Sequence, residues 1–179
     1  GLTRSSMPHY MPNRLQPHGV GVKGDAGPMK IYRKVIPRIA KDIVRALLAS
    51  RAIEVEDGHR DEAELDIAGV IVGYQNAVDK IAADAHDAVT RHGLSVENLG
   101  RIKRTLAQSR NVAIGDEALD QVINSIISQL FDSKNILEVF AEDHDLRLLV
   151  QTTIRKYVGV DEELDREVRS KIKNLEEGT

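Results

Sequence analysis

The chain has no cysteine and no tryptophan, and among its 179 residues only six are aromatic: Tyr10, Tyr32, Tyr74, Tyr157, Phe131 and Phe140. Without thiols there is no disulfide framework, thiolate metal site or cysteine nucleophile, so any chemistry falls to carboxylates, His, Ser/Thr or Lys. A dominant charge sign is lacking too. The formal net charge of −3 offers neither a basic field for nucleic acid nor the acidity of a disordered chain. The longest uncharged stretch of the body, residues 67–78 (IAGVIVGYQNAV), is interrupted by Gly, Gln and Asn. It is well short of the ~20 apolar residues a membrane-spanning helix needs. The N-terminal stretch also lacks the apolar segment of a signal peptide. These absences lead to the expectation of a soluble cytoplasmic protein that uses no cofactor and no membrane.

What is present begins with punctuation. Residues 1–28 carry four of the five prolines and five of the thirteen glycines, with no apolar period of 2 or 3.6. Such a segment cannot bury enough surface to offset its ordering entropy, so a disordered leader is expected over 1–28. Helical patterning starts directly after Met29, which is read as the native start, the leader being upstream or appended sequence.

The body matches itself without gaps at an offset of 83 residues: Ile31/Ile114, Ile43/Ile126, Leu47/Leu130, Ser50/Ser133, Ile53/Ile136, Leu65/Leu148, Ile71/Ile154 and Tyr74/Tyr157 are identical pairs. The matched apolar positions recur at three and four residues, which places them on one helical face. Ile36, Ile39, Ala40, Ile43 and Leu47 form the first stripe, with Pro37 tolerable in a first turn. Leu119, Val122, Ile123, Ile126 and Leu130 form its counterpart, opening after Asp116 as N-cap. A link comes next in each unit, with a few residues of strand at IEVE. Then come an acidic turn, a helix through Leu65, Ile71 and Tyr74 (Leu148, Ile154 and Tyr157 in the second unit), and a third helix. The third carries Ile81, Ala85 and Val89, or Leu164, Val168 and Ile172. Gly93 and Gly178 lie beyond its ends, and Asp161 caps its second copy. Ser95 opens an inter-unit helix through Leu99, Ile102 and Leu106.

The fold class expected is therefore all-α: two tandem three-helix repeats joined by a basic helix, with at most very short strands. Unit one with the linker helix spans 29–111 and unit two 112–179. Each is small for a core of its own, so the two are expected to pack as one domain. Residues 29–111 carry 14 basic and 12 acidic residues, and residues 112–179 carry 8 and 15. Opposite signs favour docking of one unit on the other, or head-to-tail association of molecules.

Several motifs invite a chemical reading. GVGVKG at 19–24 fits the dinucleotide pattern GxGxxG, but Pro17 and Pro28 deny it the strand and helix that pattern requires. The acidic turns EVEDGHRDEAELD (54–66) and EVFAEDHDLR (138–147) contain His59 and His144. Their carboxylates are read first as residues of a helix's first turn, where the dipole favours negative charge, and only secondarily as ligands of a divalent cation. His86 and His92 lack zinc-ligand spacing. Tyr74 and Tyr157 read as core packers whose hydroxyls reach outward. The sharpest basic cluster is GRIKRTLAQSR (100–110), with Arg101, Lys103, Arg104 and Arg110 as contacts for phosphate or for an acidic partner. Arg33, Lys34, Arg38 and Lys41 lie on a second helix that would extend it. No aromatic residue interleaves for base stacking.

The strings KIYRKVIPRIAKDIVRALLASRAIEVEDGHRDEAELD, EVFAEDHDLRLLVQTTIRKY and VDEELDREVRSKIKNLEEGT resemble the bacterial domain-of-unknown-function family 507 over 29–179. The resemblance implies no activity, cofactor or site residue. Members of that family typically continue past the EGT-like end into an aromatic and basic tail. Unit two is also shorter than unit one, by the stretch that holds most of the basic helix, so the chain is expected to be C-terminally open-ended. The function expected is a non-catalytic helical interaction or scaffolding protein that binds a protein partner or itself. The alternative is a nucleic-acid-associated protein using the basic helix; third comes a metal-dependent enzyme with His59 or His144 among acids in a cleft.

Overall fold

The computed structural model describes residue 29 and residues 31–158. The leader over 1–28, its GVGVKG motif, and the helix expected through Leu164, Val168 and Ile172 with its Asp161 cap and Gly178 all lie outside them.

Helix α1 (Ile36–Ala49) turns Ile36, Ile39, Ala40, Ile43, Val44 and Leu47 inward, and Pro37 sits in its first turn where no N–H partner is lost. It closes with the Ala52 N–H on the Leu47 carbonyl (2.8 Å) and the Arg51 N–H on that of Leu48 (3.0 Å). This termination takes Arg51 to a φ of 61°. Strand β1 (Ile53–Val55) comes next, then helix α2 (Arg60–His92), ended by Gly93 at a φ of 63°. Ser95 accepts the Glu97 N–H (3.1 Å) to open a 3-10 turn that runs into helix α3 (Leu99–Ser109). Helix α4 (Ala118–Asp132), strand β2 (Ile136–Val139) and helix α5 (Asp143–Arg155) complete the described part.

The chain is thus mainly helical with one small ribbon. β1 and β2 pair antiparallel, with Ile53 opposite Val139, Glu54 opposite Glu138 and Val55 opposite Ile136. This register leaves Leu137 without an opposite number, a bulge that interrupts the outer edge of β2 as a template for further pairing. α2 and α5 begin at Arg60 and Asp143, and the strands at Ile53 and Ile136, each pair 83 residues apart. One apolar core joins α1 and the first half of α2 (Ile67, Ile71) to α4 (Val122, Ile126, Leu130) and α5 (Leu146, Val150, Ile154).

Three local expectations are corrected. The two helices expected on either side of Tyr74 and Ile81 are one continuous 33-residue helix, α2. Residues 75–80 (QNAVDK) contain neither Pro nor Gly, and Tyr74, Val78, Ile81 and Ala85 keep the apolar spacing across them; Gly69 and Gly73 tax the helix by ~1 kcal/mol each without ending it. Leu65 and Leu148 are exposed rather than on the apolar faces, because Ala63 and Leu146 take the buried positions two residues earlier. Finally, α4 begins after Glu117 with no side-chain cap, so Asp116 does not serve as one.

Candidate interaction surfaces

The basic linker helix packs chiefly on α2, and its last turn, at Ala107 and Gln108, shares a shallow cleft with Glu117, Asp120 and Gln121 of the second half. α3 lies along the C-terminal half of α2, where Ala107 is buried and Ile81, Ala85 and Val89 supply the opposing face. Arg110 bonds Asp84 on α2 (2.8 Å), and Lys80 reaches the same carboxylate (3.1 Å). The two cations, Arg110 foremost, hold the Asp84 carboxyl below the usual carboxylate range. Arg101 donates to the Asn98 side chain, Arg104 is exposed and Lys103 half-buried. Among the described residues no ion pair joins 31–111 to 112–158. They are joined by the apolar core, the ribbon and the side-chain hydrogen bonds described below.

A second set of cations is arranged more regularly. Lys34, Arg38, Lys41 and Arg45 are all exposed and are spaced by four, three and four residues, so they line the outward face of α1 and the turn that precedes it. Arg45 contacts Asp42 on its own helix (3.3 Å). Arg33 departs from this stripe: its guanidinium turns to α2, bonding Asn76 (2.9 Å) and Asp79 (2.7 Å).

The two acidic turns sit at opposite ends of the ribbon, since the Glu56 N–H donates to the Asn135 carbonyl (2.9 Å) while the Phe140 N–H donates to that of Ala52 (2.8 Å). His59 and His144 therefore do not converge, and the described residues contain no group of three or more His, Asp or Glu able to hold a metal ion. His59 instead ends a polar chain that was not anticipated from sequence. Its Nδ1 faces the Asn135 Oδ1 (2.9 Å), the Asn135 Nδ2 donates to Asp66 (2.9 Å), and the Ser133 hydroxyl donates to the same carboxylate. Because the Asn135 amide N–H is committed to Asp66, its oxygen must accept, which places a proton on Nδ1 of His59. The signal in the sequence is the seven-residue spacing of His59 and Asp66, which puts both on one helical face.

The bond to Asn135, aided by the charges of Glu56 and Glu62, raises the His59 pKa above its ordinary value. A raised folded-state pKa contributes stability that is complete below the ordinary imidazole value of ~6.5 and is lost as pH rises through the folded value. Relative to His59→Gln, the wild type is therefore expected to lose thermal stability between pH 6 and 8. Parallel melting curves at the two pH values read this out; an unchanged wild-type-minus-variant difference would contradict the arrangement.

Tyr74 donates to the Ala113 carbonyl (2.6 Å), tying α2 to the segment before α4, and burial pushes its phenol upward. Tyr157 donates to Asp42 on α1, and burial followed by that carboxylate raises its pKa. Each hydroxyl ties a helix to a segment distant in sequence.

A third candidate surface is apolar. Both phenylalanines of the chain are exposed, Phe131 by 64% and Phe140 by 61%, together with the bulged Leu137 at 53%. Phe131 and Leu137 flank a shallow cavity of about 200 Å³ floored by Leu130, Ile136 and Val139. Their sequence signature is register: Leu130 belongs to the buried stripe of α4, so its neighbour Phe131 must point away.

A mainly helical protein with an exposed apolar patch and a cationic stripe is the class this geometry defines. The chain belongs to the family described as protein of unknown function (DUF507), which it matches over residues 29–179. No curated protein matches it. Among the described residues, no helix is long and apolar enough to cross a membrane.

Proposed function

We propose that this is a non-catalytic interaction or scaffolding protein of the bacterial cytoplasm, built of two tandem units and engaging a protein partner, or a second copy, through the apolar surface around β2. The observation that carries the reading is the exposure of Phe131 at the end of α4, the bulged Leu137 on β2 and Phe140 just past that strand. Aromatic residues anchor interfaces because they bury much area at little conformational cost. The bulge makes the contact one between side chains rather than the addition of a strand. The matching start positions of β1 and β2, and of α2 and α5, support the tandem reading.

A second reading, nucleic-acid association, is favoured by the exposed stripe Lys34, Arg38, Lys41 and Arg45 rather than by the linker helix, where Arg110 is already engaged with Asp84. Capture experiments with the full-length chain distinguish the two. The expectation is that Phe131→Ser with Leu137→Ser loses the protein bound by the wild type without loss of helicity, whereas Ala at Arg101, Lys103, Arg104 and Arg110 retains it. Capture that survives the double apolar change, or retention of DNA or RNA that falls steeply with salt, would transfer the function to the cationic surfaces.

A further inference from the structure

We propose that the apolar surface around β2 is covered by a second copy of this chain, whose cationic stripe on α1 lies across the ribbon. The inference rests on the reading of that surface as an interface and names its occupant. Phe131, Leu137 and Phe140 are each more than half exposed. Three side chains of that kind offer roughly 300–400 Å². A stable interface takes about 800 Å² from each partner, so the charged residues around them belong to the contact. Those residues are acidic. The ribbon and its flanks, residues 51–57 and 131–142, hold six acids against two cations, Arg51 and Lys134. Glu54 and Glu138, both exposed, stand directly opposite one another on the paired strands, an arrangement that like charges disfavour. Among the described residues none of these charges enters an ion pair.

The stripe is the counterpart in sign, length and side-chain form. Lys34, Arg38 and Lys41 likewise pair with no described acid, and Arg45 has only Asp42 of its own helix. From Lys34 to Arg45 the stripe runs on the order of 16 Å at helical rise, and from Ile136 to Phe140 the strand and the residue after it run on the order of 13 Å. Lysine and arginine lay their methylene stems on apolar surface while keeping their heads in polar surroundings, and a guanidinium is attracted to the face of a phenyl ring. Stems over Phe131, Leu137 and Phe140, with heads at Glu54 and Glu138, satisfy both kinds of surface at once. A purely aliphatic partner leaves the two glutamates uncompensated, and a polyanion is repelled by them. Opposite charge sets register and partner choice more than it adds affinity, which is the role left to these groups once the apolar side chains are covered.

Sedimentation velocity on the full chain tests this. The wild type is expected to self-associate at low ionic strength and to dissociate as salt screens the contact. Two charge reversals, Lys34→Glu with Arg38→Glu and Lys41→Glu, and separately Glu54→Lys with Glu138→Lys, are each expected to weaken association about 100-fold, because like charges are then juxtaposed. Circular dichroism checks that both retain their helicity. An equimolar mixture of the two reversed chains is expected to associate again, since the acidic ribbon of one meets the basic stripe of the other, a recovery that misfolding cannot produce. A wild type that stays monomeric at about 0.1 mM protein and low salt, a mixture that stays monomeric, or association indifferent to both reversals overturns the second copy as occupant. Phe131→Ser with Leu137→Ser separates this outcome from the reading on which it rests. A monomeric wild type whose captured partner is lost in that variant leaves the surface an interface for another protein and overturns the occupant alone. Self-association that survives the variant places the contact elsewhere and overturns both.

Discussion

Replacing Ile43 or Ile126 with Ala is expected to lower the unfolding free energy by about 3 kcal/mol in each case, within the ~2–5 kcal/mol range for isoleucine truncation in a tight core. Both side chains are fully buried, one on α1 and the other on α4, and both belong to the same apolar core. The site has little means of collapsing around the void, because each stripe is pressed on by helices from both parts of the chain. A loss of this size is a large share of the ~5–15 kcal/mol that holds a domain together. Urea titration followed by circular dichroism is the measurement. One cooperative transition, displaced as a whole by either substitution, is the expected result. Two transitions, with Ile126→Ala displacing only one, would mean that the α4 and α5 region unfolds separately from α1 and α2.

Asn76→Pro is expected to cost about 3 kcal/mol or more, because proline inside a helix removes an amide donor and drives its ring against the carbonyl one turn earlier. Asn76 is exposed, and it sits where the sequence pattern predicts two helices rather than one. The effect therefore reports on the backbone and not on core volume. Asn76→Ala supplies the reference, since it removes only the bond from Arg33, an exposed interaction worth ~1 kcal/mol at most. If the chain turned between Tyr74 and Ile81, proline would be tolerated nearly as well as alanine. Thermal melts of the two variants distinguish a continuous α2 from a broken one.

The parts of this fold that were legible in the sequence are those written in a local period. The stripes of α1 and α4 can be read residue by residue because burial demands an apolar group every three or four positions, and Pro37, Gly93 and Ser95 sit where helix ends require them. The short strand at Ile53–Val55 was legible as a strand, but its partner was not. Nothing in a three-residue segment specifies pairing with another one more than eighty residues away. The misplacement of Leu65 and Leu148 has the opposite origin: their identity across the offset outweighs helical phase as a sequence signal, and Ala63, small and matched to a larger Leu146, carries little signal of its own.

The candidate surfaces show the same division. The cations of α3 stand out as a cluster in sequence, yet in space Arg110 is consumed by Asp84, an acid with no sequence proximity to it. The cations of α1 are less conspicuous in sequence because Asp42 and several isoleucines separate them, but helical geometry gathers Lys34, Arg38, Lys41 and Arg45 onto one outward line. The chain from His59 through Asn135 to Asp66 requires the ribbon to bring two distant turns together, so only the His59 and Asp66 half of it is available from spacing alone.

The pairing of β1 with β2 has a consequence for biosynthesis. Ile53 cannot meet Val139 until the whole of α2, α3 and α4 has been made, an interval on the order of several seconds at roughly 5–20 residues per second. Through that interval the apolar faces of α1 and of the first half of α2 have one another but lack the helices that complete their burial. The nascent first half is therefore the part of this protein that is exposed to chaperones and proteases at the ribosome, and the emergence of Val139 marks the earliest moment at which the ribbon can close.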